Sequence, residues 1–124
     1  MQIRVYYEDT DAGGIVYHSN YLNFCERARS EYFFSTGKTP VIDGAHFVVR
    51  KMECDFIASA KFGDMIEVIT KIVELKRSSL KIYQEIKKDG IVLFKTTVLL
   101  VLVKDGKIQR LSEDIQKYIN SIFI

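Results

Sequence analysis

The spacing of apolar positions changes twice along this chain. Residues 3–7, rich in β-branched and aromatic side chains, predict a short first strand, and residues 8–14 predict a polar, glycine-bearing turn. From about Ser19 the period lengthens to that of a helix: Tyr21, Cys25, Ala28 and Tyr32, joined by Leu22, Phe24 and Phe33, form a broad apolar stripe. Ser19 or Asn20 is expected to cap this helix, and Gly37, followed by the only proline, Pro40, to end it. Four β-rich stretches follow, at about 45–58, 64–76, 79–88 and 91–104. Val48, Met52, Cys54 and Phe56 alternate in the first of them and Leu80, Ile82 and Ile86 in the third. The last is apolar on both faces, which places it centrally. Turn signals separate them: Gly63-Asp64, Arg77-Ser78-Ser79, and two pairs suited to tight hairpins, Asp89-Gly90 and Asp105-Gly106. Antiparallel neighbours are therefore expected. Ser112-Glu113-Asp114, with Ile115, Ile119 and Ile122 at helical spacing, predicts a short C-terminal amphipathic helix. One long early helix followed by antiparallel strands is an α+β pattern in which the sheet must cover the helix.

Composition narrows the class. At 124 residues the chain is the size of one domain, 1–124, and with 48% apolar and 27% charged residues it is expected to fold. A net charge of +2 is too slight for a nucleic-acid footprint, so any anion site must be local. The longest apolar run, residues 97–103, is far shorter than the ~20 residues that span a bilayer as a helix, so the chain is not expected to be membrane-spanning. No secretory leader precedes Arg4, and Cys25 and Cys54 fit neither a CxxC motif nor a disulfide framework. A cytoplasmic protein with buried free thiols is the expectation.

The chemistry concentrates in residues 6–21, Tyr-Tyr-Glu-Asp-Thr-Asp-Ala-Gly-Gly-Ile-Val-Tyr-His-Ser-Asn-Tyr, which set three carboxylates, two glycines and a histidine between a strand and a helix start. Gly13 and Gly14 permit positive φ or close approach to a ligand. The amides of residues 18–21 are expected at the positive end of the helix dipole, where they can stabilise an oxyanion. A carboxylate beside such donors suits acyl transfer. Taken by spacing alone, Asp11 reads either as a turn residue or as a catalytic group, His18 as a cap or an acid–base group, and Tyr7 as a packed strand end or a site residue. Asp9 and Glu8 read as turn-stabilising or solvated carboxylates. Asp9, Asp11 and His18 carry metal-binding atoms, but His46 is the only other histidine and no HxxEH, HExxH or CxxC spacing is present, so no metal is expected. The absence of a GxSxG elbow disfavours a serine nucleophile.

The same segment resembles the Asp-type 4-hydroxybenzoyl-CoA thioesterases of the hotdog superfamily. It is more similar to their Tol-Pal-associated acyl-CoA thioesterase subgroup, whose pattern runs tyrosine, acidic, Asp-Thr-Asp, small, Gly, apolar, Val-Tyr-His, Asn-Tyr. Glu26-Arg27-Ala28-Arg29-Ser30-Glu31, Gly63-Asp64 and Arg77-Ser78-Ser79 extend the likeness over nearly the whole chain. The resemblance implies a hotdog fold, an antiparallel sheet wrapped around a central helix. It implies that Asp11 is the catalytic carboxylate, that Tyr7 and His18 are the other active-site positions, and that the His18 amide polarises the thioester carbonyl. It also implies substrate contacts at Gly14, Tyr17 and the Arg77-Ser78-Ser79 turn, and sites built between the protomers of a homodimer or homotetramer. The implied substrate is an acyl-CoA, with acyl carrier protein as an alternative thioester carrier, and no separate cofactor, since CoA is part of the substrate. Lys61, Lys76, Arg77, Lys87, Lys88 and Arg110 are candidate cations for the CoA phosphates. Two other readings of the cleft stand beside hydrolysis: a non-catalytic module that holds an acyl thioester, and a hotdog dehydratase, whose family pairs His with an acidic residue in a different arrangement.

Overall fold

Three Asp-Gly pairs turn the chain back on itself. Asp43, Asp89 and Asp105 adopt φ of 50°, 50° and 51°, and the glycines after them 79°, 78° and 75°. Two successive left-handed residues make the turn whose twist matches antiparallel strands. The turns join β2 (Val41–Ile42) to β3 (Ala45–Phe56), β5 (Leu80–Lys88) to β6 (Ile91–Lys104), and β6 to β7 (Lys107–Gln109). Two of these hairpins are expected from sequence. Asp43-Gly44 bears the same signature and folds a hairpin absent from the reading above, because β2 is only two residues long. A computed structural model describes residues 1–123.

With β1 (Gln2–Arg4) and β4 (Met65–Leu75), these strands form one seven-stranded antiparallel sheet in the order β1-β4-β5-β6-β3-β2, β7 pairing with β6. β6 is internal, as its two apolar faces require: Phe94, Val98, Leu100, Val101 and Leu102 are all buried. The helix α1 (His18–Phe34), 17 residues or about 25 Å, lies across the sheet and buries Tyr21, Phe24, Cys25, Ala28 and Phe33. A core of Val5, Val16, Tyr21, Phe24, Ile66, Val68, Ile86 and Phe94 fills one end of the α1–sheet interface. A second, of Leu80, Ile82, Val98, Leu100, Leu102, Leu111 and Ile119, lies under α2 (Glu113–Ile122). Burial pushes the Cys25 thiol up to about 12, as suits an inert packed cysteine; Cys54 is half-buried, and both are free thiols.

Three local expectations are overturned. Neither Ser19 nor Asn20 caps α1; the cap position is Tyr17, which makes no side-chain cap bond, and His18 is already helical. The first strand ends at Arg4, and Tyr7 lies in a 3₁₀ turn, Tyr7–Asp9, because the Asp9 carboxylate takes the Tyr6 amide at 2.9 Å and draws the chain out of the ladder. Val48 does not share a face with Met52 and Cys54: a bulge between Val49 and Lys51 shifts the side-chain parity, so that Ala45 and Phe47 face inward before it, Met52 and Cys54 after it, and Val48 is 39% exposed.

Gln84 lies inward on β5 between Ile82 and Ile86 and is fully buried. Its Nε2 donates to the Cys25 carbonyl at 2.9 Å and to Thr70 Oγ1 at 3.1 Å, while its Oε1 accepts from Arg29 Nη1 at 2.9 Å. A buried amide of this kind must be satisfied. Its bonds fix where α1 lies across the sheet, a role that periodicity alone does not reveal.

Candidate active site

At one end of the sheet the chain crosses between β1 and α1, and residues 57–64 cross beside it. Short bonds knit the two crossings together. The Val16 amide donates to the Ala60 carbonyl at 2.9 Å, Val5 to Asp64 at 2.8 Å, and Gly63 back to Val5 at 2.9 Å; Ile15 bridges Lys61. The buried Tyr21 hydroxyl accepts the Ala60 amide at 2.9 Å, and burial raises its pKa above the usual phenol value. Asp64 closes the second crossing by accepting from the Lys61 amide and from Lys88 Nζ, each at 2.8 Å.

Lys88 first, and the Lys61 amide as well, hold Asp64 below the ordinary carboxylate range, and Asp64 raises Lys88 in return. A depressed carboxylate contributes stability that is complete above its unfolded pKa of about 4 and is lost as pH falls through the lower folded value. Lys88 is raised, so its share is complete below an unfolded value of about 10.4 and is lost as pH rises through the folded one. We expect Asp64→Asn to melt on the order of 2–5 °C below wild type at pH 5–7, a gap that narrows as pH falls below the ordinary carboxylate range. Thermal melts across that range check this, and a gap independent of pH would contradict it.

Asp11 sits at the apex of the first crossing. Its amide donates to Ile15 O at 2.9 Å, its carbonyl accepts from Gly14 at 3.0 Å, and its Oδ1 accepts from the Gly13 amide at 2.8 Å. Glycine is required at position 14 by its φ, and at position 13 it leaves room for the carboxylate. A Cβ on Gly13 would lie 3.2 Å from Asp11 Oδ1, and Gly14 has φ of +78°. Asp11 is exposed, and its Oδ2 makes no hydrogen bond among the described residues. Asp9, by contrast, is buried and structural, while Glu8 is exposed.

The first crossing leads directly into α1. As the first helical residues, His18 and Ser19 have amides with no intrahelical acceptor. The first turn carries no acidic residue, so the positive end of the dipole is left uncompensated within the helix. The His18 ring leans on Tyr17, centroids 4.3 Å apart, and meets the edge of Phe56 at 6.2 Å. Tyr7, 81% exposed, meets Phe62 edge-on at 6.1 Å. Tyr7, Asp11, Gly14, Tyr17 and His18 are thus gathered on one pair of crossings. The surface there is open: a cavity of about 480 Å³ instead follows the outer face of α1 at Asn23, Glu26, Arg27 and Ser30.

Arg77, Ser78 and Ser79 are not gathered with them. They form the turn between β4 and β5, tied to the C-terminal segment by Leu111 N donating to Arg77 O at 2.6 Å. The 11 residues of β4 lead from the Asp11 end to this turn, a distance of roughly 33 Å along the strand at about 3.3 Å per residue. Of the candidate cations, Lys76 pairs with Glu74, Lys87 with Glu85 and Lys88 with Asp64; Lys61, Arg77 and Arg110 have no ion pair among the described residues. No three His, Cys, Asp or Glu side chains cluster among those residues, and no helix is long and apolar enough to cross a membrane.

Comparison with known proteins gives the family of the fold. Residues 13–95 match the family model of the thioesterase superfamily. The chain is 48% identical to the acyl-CoA thioesterase YbgC of Helicobacter pylori over 86 residues, which are 69% of this chain and 65% of that protein. It is 39% identical to the acyl-CoA thioesterase YbgC of Haemophilus influenzae over 111 residues, 86% of this chain and 82% of the relative. A probable thioesterase from Bartonella henselae superposes with a TM-score of 0.85 at 35% identity, over 90% of this chain and 97% of that one. The curled antiparallel sheet with one long helix against it is the hotdog fold of these proteins.

Proposed function

This chain belongs to the thioesterase superfamily, and on that premise we propose that it hydrolyses the thioester of an acyl-CoA to the free carboxylate and CoA, with Asp11 as nucleophile or general base. The observation that carries the reading is the placement of an exposed carboxylate, anchored through one oxygen, on a loop that runs straight into an uncapped helix N-terminus. As a nucleophile, Asp11 bonds its free oxygen to the thioester carbon and expels the CoA thiolate, which takes up a proton; water then cleaves the mixed anhydride. As a general base, Asp11 removes the proton from a water that attacks the same carbon, and the thiolate again leaves and is protonated. In both routes the carbonyl oxygen becomes an oxyanion, and the His18 amide at the positive end of α1 is the donor for it. His18 and Tyr7 border the reacting group, and Gly14 and Tyr17 contact the substrate.

The Arg77-Ser78-Ser79 turn serves CoA only across a subunit boundary, given its distance from Asp11 within one protomer. β3 beyond its short pairing with β2 has a free edge. Pairing of such edges in a homodimer, or in a homotetramer of two such dimers, would bring a second protomer to the site. Arg77→Ala is expected to raise KM for acyl-CoA several-fold with kcat little changed, since a phosphate contact binds ground and transition states alike. A fall in kcat at constant KM would remove Arg77 from CoA binding.

The test of the function is release of free thiol from a panel of short, long and aromatic acyl-CoA substrates. Wild type is expected to cleave at least one well above background. Binding without release would favour a module that holds the thioester, and hydration of an enoyl thioester would favour a dehydratase. Acyl carrier protein thioesters, run in parallel, identify the carrier.

A further inference from the structure

Asp9 O receives two donors from α1 and the residue before it: the Tyr17 amide at 2.9 Å and the Asn20 side-chain Nδ2 at 2.9 Å. A carbonyl oxygen offers two lone pairs, so the helix fills this acceptor by itself. The orientation of the Asn20 amide follows from its partners. Facing a carbonyl it must present its NH₂ group, and its Oδ1 then accepts from Asn23 Nδ2 at 3.1 Å. On the loop side, the Asp9 carboxylate holds the Tyr6 amide at 2.9 Å, so that Asp9 is pinned from both directions. Asp9 stands two residues before Asp11, and Asn20 two residues after His18. The Asn20–Asp9 bond therefore connects the two halves of the proposed site, the carboxylate loop and the amide end of α1, by a side-chain hydrogen bond.

We infer that Asn20 is a positioning residue: its bond to the Asp9 carbonyl sets the distance and angle between the Asp11 carboxylate and the His18 amide, without touching substrate. This rests on the reading of Asp11 given above. The Tyr17 amide remains on Asp9 O when Asn20 is replaced, so the loop stays attached and only its registration against the helix relaxes. Small misplacements of this kind cost up to about 100-fold in rate.

Asn20→Asp is the main variant, because it keeps the side-chain shape and the acceptor for Asn23 while turning a lone pair toward the Asp9 carbonyl. Asn20→Ala is the second, should the first fail to fold. With an acyl-CoA that wild type cleaves, kcat is expected to fall about 10- to 100-fold. KM should stay within about twofold and Tm within a few degrees. Adding the substitution to Asp11→Asn should lower the residual rate no further, as for residues that act as a unit. Hydrogen exchange at the Tyr17 and Gly13 amides should quicken by about 10-fold or more, with Ile82 in β5 unchanged. A kcat per folded molecule within twofold of wild type in both variants overturns the inference. So does an undiminished loss in the Asp11→Asn background, or unchanged exchange at Tyr17 and Gly13. An Asp11→Asn enzyme as active as wild type overturns the parent reading as well, and is the result that tells the two failures apart.

Discussion

Asp11→Asn is expected to lower thiol release from acyl-CoA by about 10²- to 10⁴-fold while leaving the fold intact. Asparagine keeps the oxygen that accepts the Gly13 amide at 2.8 Å, so the loop retains its shape, whereas the group that attacks carbon or accepts a proton from water is lost. Asp11→Ala removes the anchor too, and should be as inactive and also somewhat less stable, by the ~1 kcal/mol of a typical hydrogen bond. Steady-state assays beside thermal melts separate the two losses. Activity of either variant within a few-fold of wild type would sink the assignment. A single turnover in labelled water then tests the covalent route: label in the Asp11 carboxylate marks an anhydride opened at the aspartyl carbon, whereas label confined to the product acid marks water attacking the acyl carbon.

Phe94→Ala is expected to have the largest effect on stability, a loss of about 3–5 kcal/mol. Phe94 is fully buried at the centre of an aromatic group, its ring stacked on Tyr21 at 5.3 Å and tilted against Phe56 at 5.0 Å. Truncation removes apolar contact and leaves a cavity beneath the start of α1, where rigid backbone on both sides limits collapse. Tyr21 is the residue whose hydroxyl holds the Ala60 amide, so the crossing at 57–64 should loosen as well. Urea unfolding should show the full loss, and a melting temperature lower by roughly 10–25 °C. Ile91→Ala, at a side chain 65% exposed on the same strand, should change stability by no more than about 0.5 kcal/mol. A Phe94→Ala loss below about 1 kcal/mol would mean that the core repacks around the gap.

The local patterns of this sequence determine most of its elements, because they depend on neighbours a few residues away. The long β-rich stretches fall within a residue or two of β3, β4, β5 and β6, since alternation and turn residues act over that range. The apolar period of α1 and the Ser112-led start of α2 are equally local, and Ser112 Oγ does accept the Ile115 amide at 3.2 Å. So is the concentration of Asp11, Gly13, Gly14 and His18 in one segment, which points to a site before any fold is known.

Features that depend on partners distant in the chain were decided only by the tertiary structure. The bulge at Val49/Lys51 reverses the facing of β3, and nothing in its residue pattern announces it. Asn20, which by type reads as a cap, instead reaches a carbonyl 11 residues back; Gln84, which by type reads as a surface residue, is buried between α1 and the sheet. A polar side chain reveals its type in the sequence but not its partner, and the partner decides its role. The separation of the Arg77 turn from Asp11 by the length of β4 belongs to the same class, since distance in space is set by strand direction and not by residue identity.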